Sequence, residues 1–153
     1  MNRISLLSAV AALALMAAPA FATDQHNSAP TTQSATSTAK AKFGSASALS
    51  LNNNAIDQSN FKMGRGKLTG QSNDAPTTQS ADSSAFARHG DANATSVNTN
   101  EIIQSNEAFG RKGPFQSNSA PTTQSATSHA VSIGGDANAL SANSNAVSQS
   151  NDR

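Results

Sequence analysis

The stretch Gly44-Ser-Ala-Ser-Ala-Leu-Ser-Leu-Asn-Asn-Asn-Ala-Ile-Asp-Gln-Ser-Asn60 decides the fold, because the chain contains it three times. It returns, with substitutions, as Gly90 to Asn106 and as Gly135 to Asn151. Comparing the copies, every second residue is held and the residues between them drift. The held series is Ala46, Ala48, Ser50, Asn52, Asn54, Ile56, Gln58, Asn60. It reads Ala92, Ala94, Ser96, Asn98, Asn100, Ile102, Gln104, Asn106 in the second copy, and Ala137, Ala139, Ser141, Asn143, Asn145, Val147, Gln149, Asn151 in the third. The intervening positions are loose: Leu49, Thr95 and Leu140 at one, Asp57, Ile103 and Ser148 at another. A period of two is that of a β-strand, whose alternate side chains point to opposite faces. One face is therefore constrained and the other free.

Working outward, a second shared stretch precedes each copy. Gln25-His-Asn-Ser-Ala-Pro-Thr-Thr-Gln33-Ser-Ala matches Gln71 to Ala81 and Gln116 to Ala126. Alternation holds here as well, at Ala35, Ser37, Ala39 and Ala41 against Ala81, Ser83, Ala85 and Ala87. Its phase slips by one residue at Gly44, Gly90 and Gly135, which predicts a bulge or tight turn at each glycine. Pro30, Pro76 and Pro121 cannot donate to a ladder and predict a bend. The repeat units are 25–60, 71–106 and 116–151, joined by Gly-containing, mostly basic linkers at 61–70 and 107–115.

The held residues are small or carry amides. A held apolar face would imply an ordinary core. A held Asn/Gln/Ser/Ala face implies like side chains stacked on one another, their amides hydrogen-bonded up and down at the strand spacing of about 4.8 Å. Gln33/Gln79/Gln124, Asn52/Asn98/Asn143, Asn54/Asn100/Asn145 and Gln58/Gln104/Gln149 are the expected ladders, with Ile56, Ile102 and Val147 filling a dry interior. A straight unit would be about 120 Å long at about 3.3 Å per residue. A linker reaches about 35 Å at most, so each unit must fold back before the next can sit upon it. The predicted fold class is all-β, a three-layer β-solenoid or cross-β stack of three imperfect repeats. Its top and bottom would be open strand edges that template another molecule.

Composition agrees. Residues 1–22 read as a secretory signal: Arg3, an apolar run from Ile4 to Ala18, and the cleavage box Ala20-Phe21-Ala22. That run is short of the ~20 residues a membrane span needs. Of the 131 residues that follow, 59 are Ser, Thr, Asn or Gln and 17 are Leu, Ile, Val, Phe or Met. So few large apolar side chains cannot offset the entropy of ordering such a chain. The free monomer is expected to be disordered, with polymerisation supplying the missing stabilisation. Lys+Arg and Asp+Glu are both 9 after residue 22, which excludes electrostatic grip on nucleic acid as the main function. There is no Cys to form a disulfide.

Catalytic and cofactor motifs are not found. Gly66-Lys67-Leu68-Thr69 hints at a phosphate loop, but Phe61 and Leu68 stand where that motif needs Gly and Ser or Thr. His26, His89 and His129 fall at three different repeat positions and cannot form a metal ladder. Asp91 and Asp136 follow glycine at matching positions, but Ser45 breaks the series and the calcium β-roll pattern is missing, so they read as turn residues. Lys62, Arg65, Lys67, Arg111 and Lys112 read as solvated charges that guard aggregation-prone strands.

The three Asn/Gln/Ala/Gly-rich repeats behind a signal segment resemble the Fap family of bacterial functional amyloid subunits. The likeness covers residues 25–151 and lies in architecture and composition, not in a sharp motif. It implies export through an outer-membrane pore with a periplasmic chaperone or protease, and growth into extracellular fibrils at the cell surface together with a related major subunit. Short linkers and the lack of a C-terminal Cys-x-x-Cys resemble the family's minor, nucleating subunit more than its major one. A weaker likeness is to curlin, whose Asn-x-Ala-x3-Gln pattern is fitted by Asn27 to Gln33, Asn73 to Gln79 and Asn118 to Gln124. Pro30, Pro76 and Pro121 fall where that repeat would run extended. Two other function classes stay open on the sequence: a monomeric β-solenoid adhesin or binding module at the cell surface, and a disordered exported filler.

Overall fold

A computed structural model describes residues 10–17, 24–63, 70–109 and 115–152. The signal reading of residues 1–22 falls outside these apart from Val10–Ala17, as do linker residues 64–69 and 110–114. Ten strands are described and no helix: β1 (Val10–Ala17), β2 (Asp24–Ser28), β3 (Thr31–Ala41), β4 (Ala46–Met63), β5 (Gly70–Asp74), β6 (Thr77–Ala87), β7 (Ala92–Phe109), β8 (Phe115–Ser119), β9 (Thr122–Ser132) and β10 (Ala137–Asp152). They form three parallel sheets, ordered β2-β5-β8, β3-β6-β9 and β1-β4-β7-β10.

Every repeat contributes one strand to each sheet, and like residues meet. Asn52 pairs with Asn98 and Asn98 with Asn143; Gln33 pairs with Gln79 and Gln79 with Gln124. Each repeat is thus one rung, folded back on itself between its second strand and its long last strand. The sheet of β3, β6 and β9 lies face to face with that of β4, β7 and β10. In rung one the inward residues alternate with exposed ones along β3 and β4, at the positions the period of two assigns to the held face. Small residues make the rung thin. Near the fold-back the core is only methyl groups: Ala39, Ala41, Ala46 and Ala48, with Ala85, Ala87, Ala92 and Ala94 above them. Farther along, Ile56 and Ile102 pack with Ala29 and Ala75.

The prolines stand between paired strands, and the ladder runs past them. Thr31 N donates to the Pro76 carbonyl and Thr77 N to that of Pro121, both at 2.9 Å. Pro needs no donor there because only its carbonyl is used.

The fold-back requires glycine for two separate reasons. Gly44 (φ +90°), Gly90 (φ +133°) and Gly134 (φ +83°) hold left-handed backbone, which a Cβ disfavours. At Gly90 and Gly135 there is also no room: a Cβ would lie 2.5 Å from the Gly44 carbonyl oxygen and 2.4 Å from that of Gly90. At the third turn the two requirements fall to different glycines. The left-handed residue there is Gly134, and Gly135 is needed for close approach to the rung below. The linker boundaries also move. Phe61, Lys62 and Met63 continue β4 and pair with Glu107, Ala108 and Phe109. An edge-on contact between the Phe61 and Phe109 rings, 6.1 Å between centroids, accompanies the extension.

Candidate functional site

The functional candidates are the inward amides and the two ends of the stack they form. Asn52 Nδ2 donates to Asn98 Oδ1 at 2.9 Å, and Asn98 Nδ2 to Asn143 Oδ1 at 2.9 Å. Asn54 Nδ2 donates to Asn100 Oδ1 at 2.7 Å, and Asn100 Nδ2 to Asn145 Oδ1 at 2.8 Å. The glutamine columns run the opposite way. Gln124 Nε2 donates to Gln79 Oε1 and Gln79 Nε2 to Gln33 Oε1, at 2.7 and 2.8 Å. Gln149 donates to Gln104 and Gln104 to Gln58, both at 2.8 Å. Asparagine donors therefore point toward rung three and glutamine donors toward rung one.

An amide nitrogen has two hydrogens, and the second crosses the rung. Asn52 Nδ2 also reaches the Ser80 carbonyl at 2.6 Å, and Asn98 Nδ2 that of Ser125 at 2.6 Å. Gln79 Nε2 takes the Thr99 carbonyl at 3.0 Å and Gln104 Nε2 that of Ser119 at 3.0 Å. Since Asn52 belongs to rung one and Ser80 to rung two, the facing layers are stitched together across rungs. Serine hydroxyls do the same where space is short: Ser50 Oγ donates to the Asp82 carbonyl at 2.5 Å. A buried amide with all its bonds made is stable, while one lacking a partner is costly. The columns hold only if copies sit in register.

Two further columns were not among the expected ladders, although Asn60, Asn106 and Asn151 end the held series. Gln25, Gln71 and Gln116 form one, with Gln71 Nε2 donating to Gln25 Oε1 at 2.8 Å and Gln116 Nε2 to Gln71 Oε1 at 3.0 Å. The other is double: Asn60, Asn106 and Asn151 stack, and Asn27, Asn73 and Asn118 stack facing them. Asn60 Nδ2 reaches Asn106 Oδ1 at 2.9 Å and Asn73 Oδ1 at 3.0 Å. All nine residues are identical among the copies, which was the available signal.

The two ends differ. Ile56 is 2% exposed and Ile102 0%, but Val147 is 42% exposed, which corrects its assignment to a dry interior. Asn143, Asn145 and Gln149 are exposed in the same way, while Asn98, Asn100 and Gln104 are buried. The residues are equivalent in sequence; among the described residues, nothing is stacked upon the third rung. At the other end, β1 runs parallel to β4 from Leu51 to Gln58. Three buried side-chain atoms among the described residues have no hydrogen-bond partner: Thr31 Oγ1, Asn52 Oδ1 and Asn54 Oδ1, all in rung one.

Other expected residues take minor places. His89 stacks on Phe43 with ring centroids 5.4 Å apart, and Asp136 N donates to Asp91 Oδ1 at 3.1 Å across adjacent turns. Among the described residues, no group of three His, Asp or Glu could hold a metal. Comparison with protein-family models, with curated proteins and with solved structures finds no match to this chain.

Proposed function

We propose that the chain is a secreted structural protein that assembles with copies of itself into extracellular amyloid fibrils of a biofilm matrix, in the role of a minor, nucleating subunit. The observation that supports this reading is the bare third rung. Its inward positions match those buried one rung below, yet Val147 is 42% exposed and Asn143, Asn145 and Gln149 are exposed with it. Strands β8, β9 and β10 form one end of their sheets with no further strand described beyond them. An in-register edge of this kind, lined with stacking amides, is the surface on which cross-β structures grow. The proposed partners are other copies and a related major subunit. Export to the cell surface is proposed on the reading of residues 1–22 as a signal, with an outer-membrane pore and a periplasmic chaperone or protease on the family resemblance. No enzymatic role is proposed.

Incubating residues 23–153 at concentrations on the order of 0.1 mM tests the reading. Thioflavin-positive fibrils with reflections near 4.7–4.8 Å and about 10 Å are expected. A protein that sediments as a folded monomer for days would return the reading to a surface binding module. A persistent coil spectrum by circular dichroism would return it to an exported filler.

A further inference from the structure

The three orphaned atoms of rung one share one explanation. In the rungs above, the same atoms are all satisfied by asparagine from the rung beneath. Asn98 Oδ1 accepts from Asn52, Asn100 Oδ1 accepts from Asn54, and Thr77 Oγ1 accepts from Asn54 Nδ2 at 3.4 Å. Thr122 Oγ1 likewise accepts from Asn100 at 3.3 Å. What rung one lacks is a pair of asparagine amide groups directly below Asn52 and Asn54. The strand that occupies this place is β1, which sets Ala11 beside Asn52 and Leu13 beside Asn54. Neither residue type has a side-chain hydrogen-bond donor. β1 pairs with Leu51 to Gln58 of the β4 backbone and leaves the Asn52 and Asn54 side-chain oxygens without a donor.

The missing donors are present at the opposite end of the same molecule. Asn143 and Asn145 accept through Oδ1, and neither Nδ2 has a partner among the described residues. The glutamines complement this. Gln79 Nε2 makes two bonds, whereas Gln33 Nε2 makes one, to the Asn53 carbonyl at 2.9 Å. Gln58 Nε2 likewise makes one, to the Asp74 carbonyl, and so keeps a hydrogen for a rung below. Gln124 and Gln149 at the top offer acceptor oxygens.

We infer that copies of this chain join head to tail in a single direction, rung three of one copy taking the place of β1 beneath rung one of the next. Asn143 then donates to Asn52 of the second copy, and Asn145 to its Asn54 and Thr31. Gln33 and Gln58 of the second copy donate to Gln124 and Gln149 of the first. Stacking two tops would bring donor to donor in the asparagine columns and acceptor to acceptor in the glutamine columns. The interface is heterologous and does not close, which is the geometry of a filament. It follows also that β1 (Val10–Ala17), while attached, occupies the edge that the junction needs. The inference rests on the fibril reading and adds its polarity.

The opposed columns allow each end to be blocked without breaking the columns inside the chain. Asn143→Asp with Asn145→Asp keeps the oxygens that accept from Asn98 and Asn100, and presents carboxylates upward. Gln33→Glu with Gln58→Glu keeps the oxygens that accept from Gln79 and Gln104, gives up the bonds to the Asn53 and Asp74 carbonyls, and presents carboxylates downward. Each double variant alone is expected to stay monomeric while the unsubstituted chain 23–153 forms fibrils. Mixed 1:1, they should give a dimer in sedimentation velocity that grows no further. Dimers of the Gln33/Gln58 variant alone would reveal top-to-top joining and overturn the inference. Fibrils with an otherwise unchanged interior provide a test independent of these folds. Ser148 and Asp57 are in one exposed column. Fibrils mixing Ser148→Cys and Asp57→Cys chains should form the 57–148 disulfide between copies, and fibrils of either chain alone should form none. A disulfide-linked dimer in fibrils of the Ser148→Cys chain alone would overturn head-to-tail joining. If the unsubstituted chain forms no fibrils, the fibril reading itself fails.

Discussion

Replacing the same asparagine in each of the three copies tests whether the rungs become equivalent in the assembled state. In the single chain they are not. Asn98 is 0% exposed and takes part in three strong bonds: it receives one from Asn52 at 2.9 Å and gives one each to Asn143 at 2.9 Å and to the Ser125 carbonyl at 2.6 Å. Asn143 takes part in one. At about 1 kcal/mol net per bond, Asn98→Ala costs about 3 kcal/mol and Asn143→Ala about 1 kcal/mol within the single chain. In a fibril of stacked rungs, Asn143 gains a rung above it and its loss rises to the same ~3 kcal/mol. The assay is the soluble concentration in equilibrium with fibrils at a fixed guanidinium concentration, where the dissolved chain is unfolded for every variant. About 3 kcal/mol is about two decades, so Asn52→Ala, Asn98→Ala and Asn143→Ala should each raise that concentration roughly 100-fold. A control at the outward Ser105 should shift it by about twofold or less. If Asn98→Ala gives the hundredfold rise and Asn143→Ala gives tenfold or less, rung three meets no matching amide in the fibril and the reasoning is refuted.

Three further outcomes follow from the geometry. Within the single chain Gly44→Ala meets nothing within 4 Å and carries only the cost of left-handed backbone, about 1–3 kcal/mol, whereas Gly90→Ala also runs into the Gly44 carbonyl; denaturant unfolding of the chain kept monomeric by Asn143→Asp with Asn145→Asp should show the second as the more destabilising. Ile102→Ala, at a fully buried position, should destabilise fibrils by about 2–5 kcal/mol in guanidinium dissolution, and Val147→Ala by an amount approaching it only once the third rung is covered. Phe109→Ala removes the edge-on ring contact with Phe61 and should cost about 0.5–1.5 kcal/mol beyond lost burial, read by the same dissolution curves.

What the sequence made legible was whatever three copies can vote on. The period of two, the held face from Ala46 to Asn60 and the slip of phase at Gly44 came from comparing positions, and together they led to a stacked all-β fold. Three things were out of its reach. The copies are alike in sequence but not in place, so nothing in Val147 marks it as lying at an end. The third turn contains Gly134 and Gly135 side by side, and alignment chose the one that stacks on Gly90, whereas the backbone puts its left-handed residue one position earlier. The second bond of each amide depends on how the two layers face each other. The pairing of Asn52 with the Ser80 carbonyl, 28 positions away and one rung up, is set by that facing register, which strand alternation does not carry.

An amide interior also explains why a chain so poor in large apolar residues can still be selective. An apolar edge would be attracted to any apolar surface, at any register, because hydrophobic burial is non-directional. A column of Asn and Gln gains little from an unmatched neighbour. Sliding by one residue turns every inward amide outward, and sliding by two keeps one Asn over Asn but brings the other over Ser or Ile and leaves buried donors and acceptors unpaired at about 1–3 kcal/mol each. Reversing one partner sets donor against donor. Each error therefore accumulates over several columns at once, while the correct partner satisfies all of them together. Strand β1 illustrates the difference: it pairs eight residues of the β4 backbone and still leaves the Asn52 and Asn54 side-chain oxygens unsatisfied, so the head-to-tail inference expects a rung of the protein's own sequence to displace it at that edge.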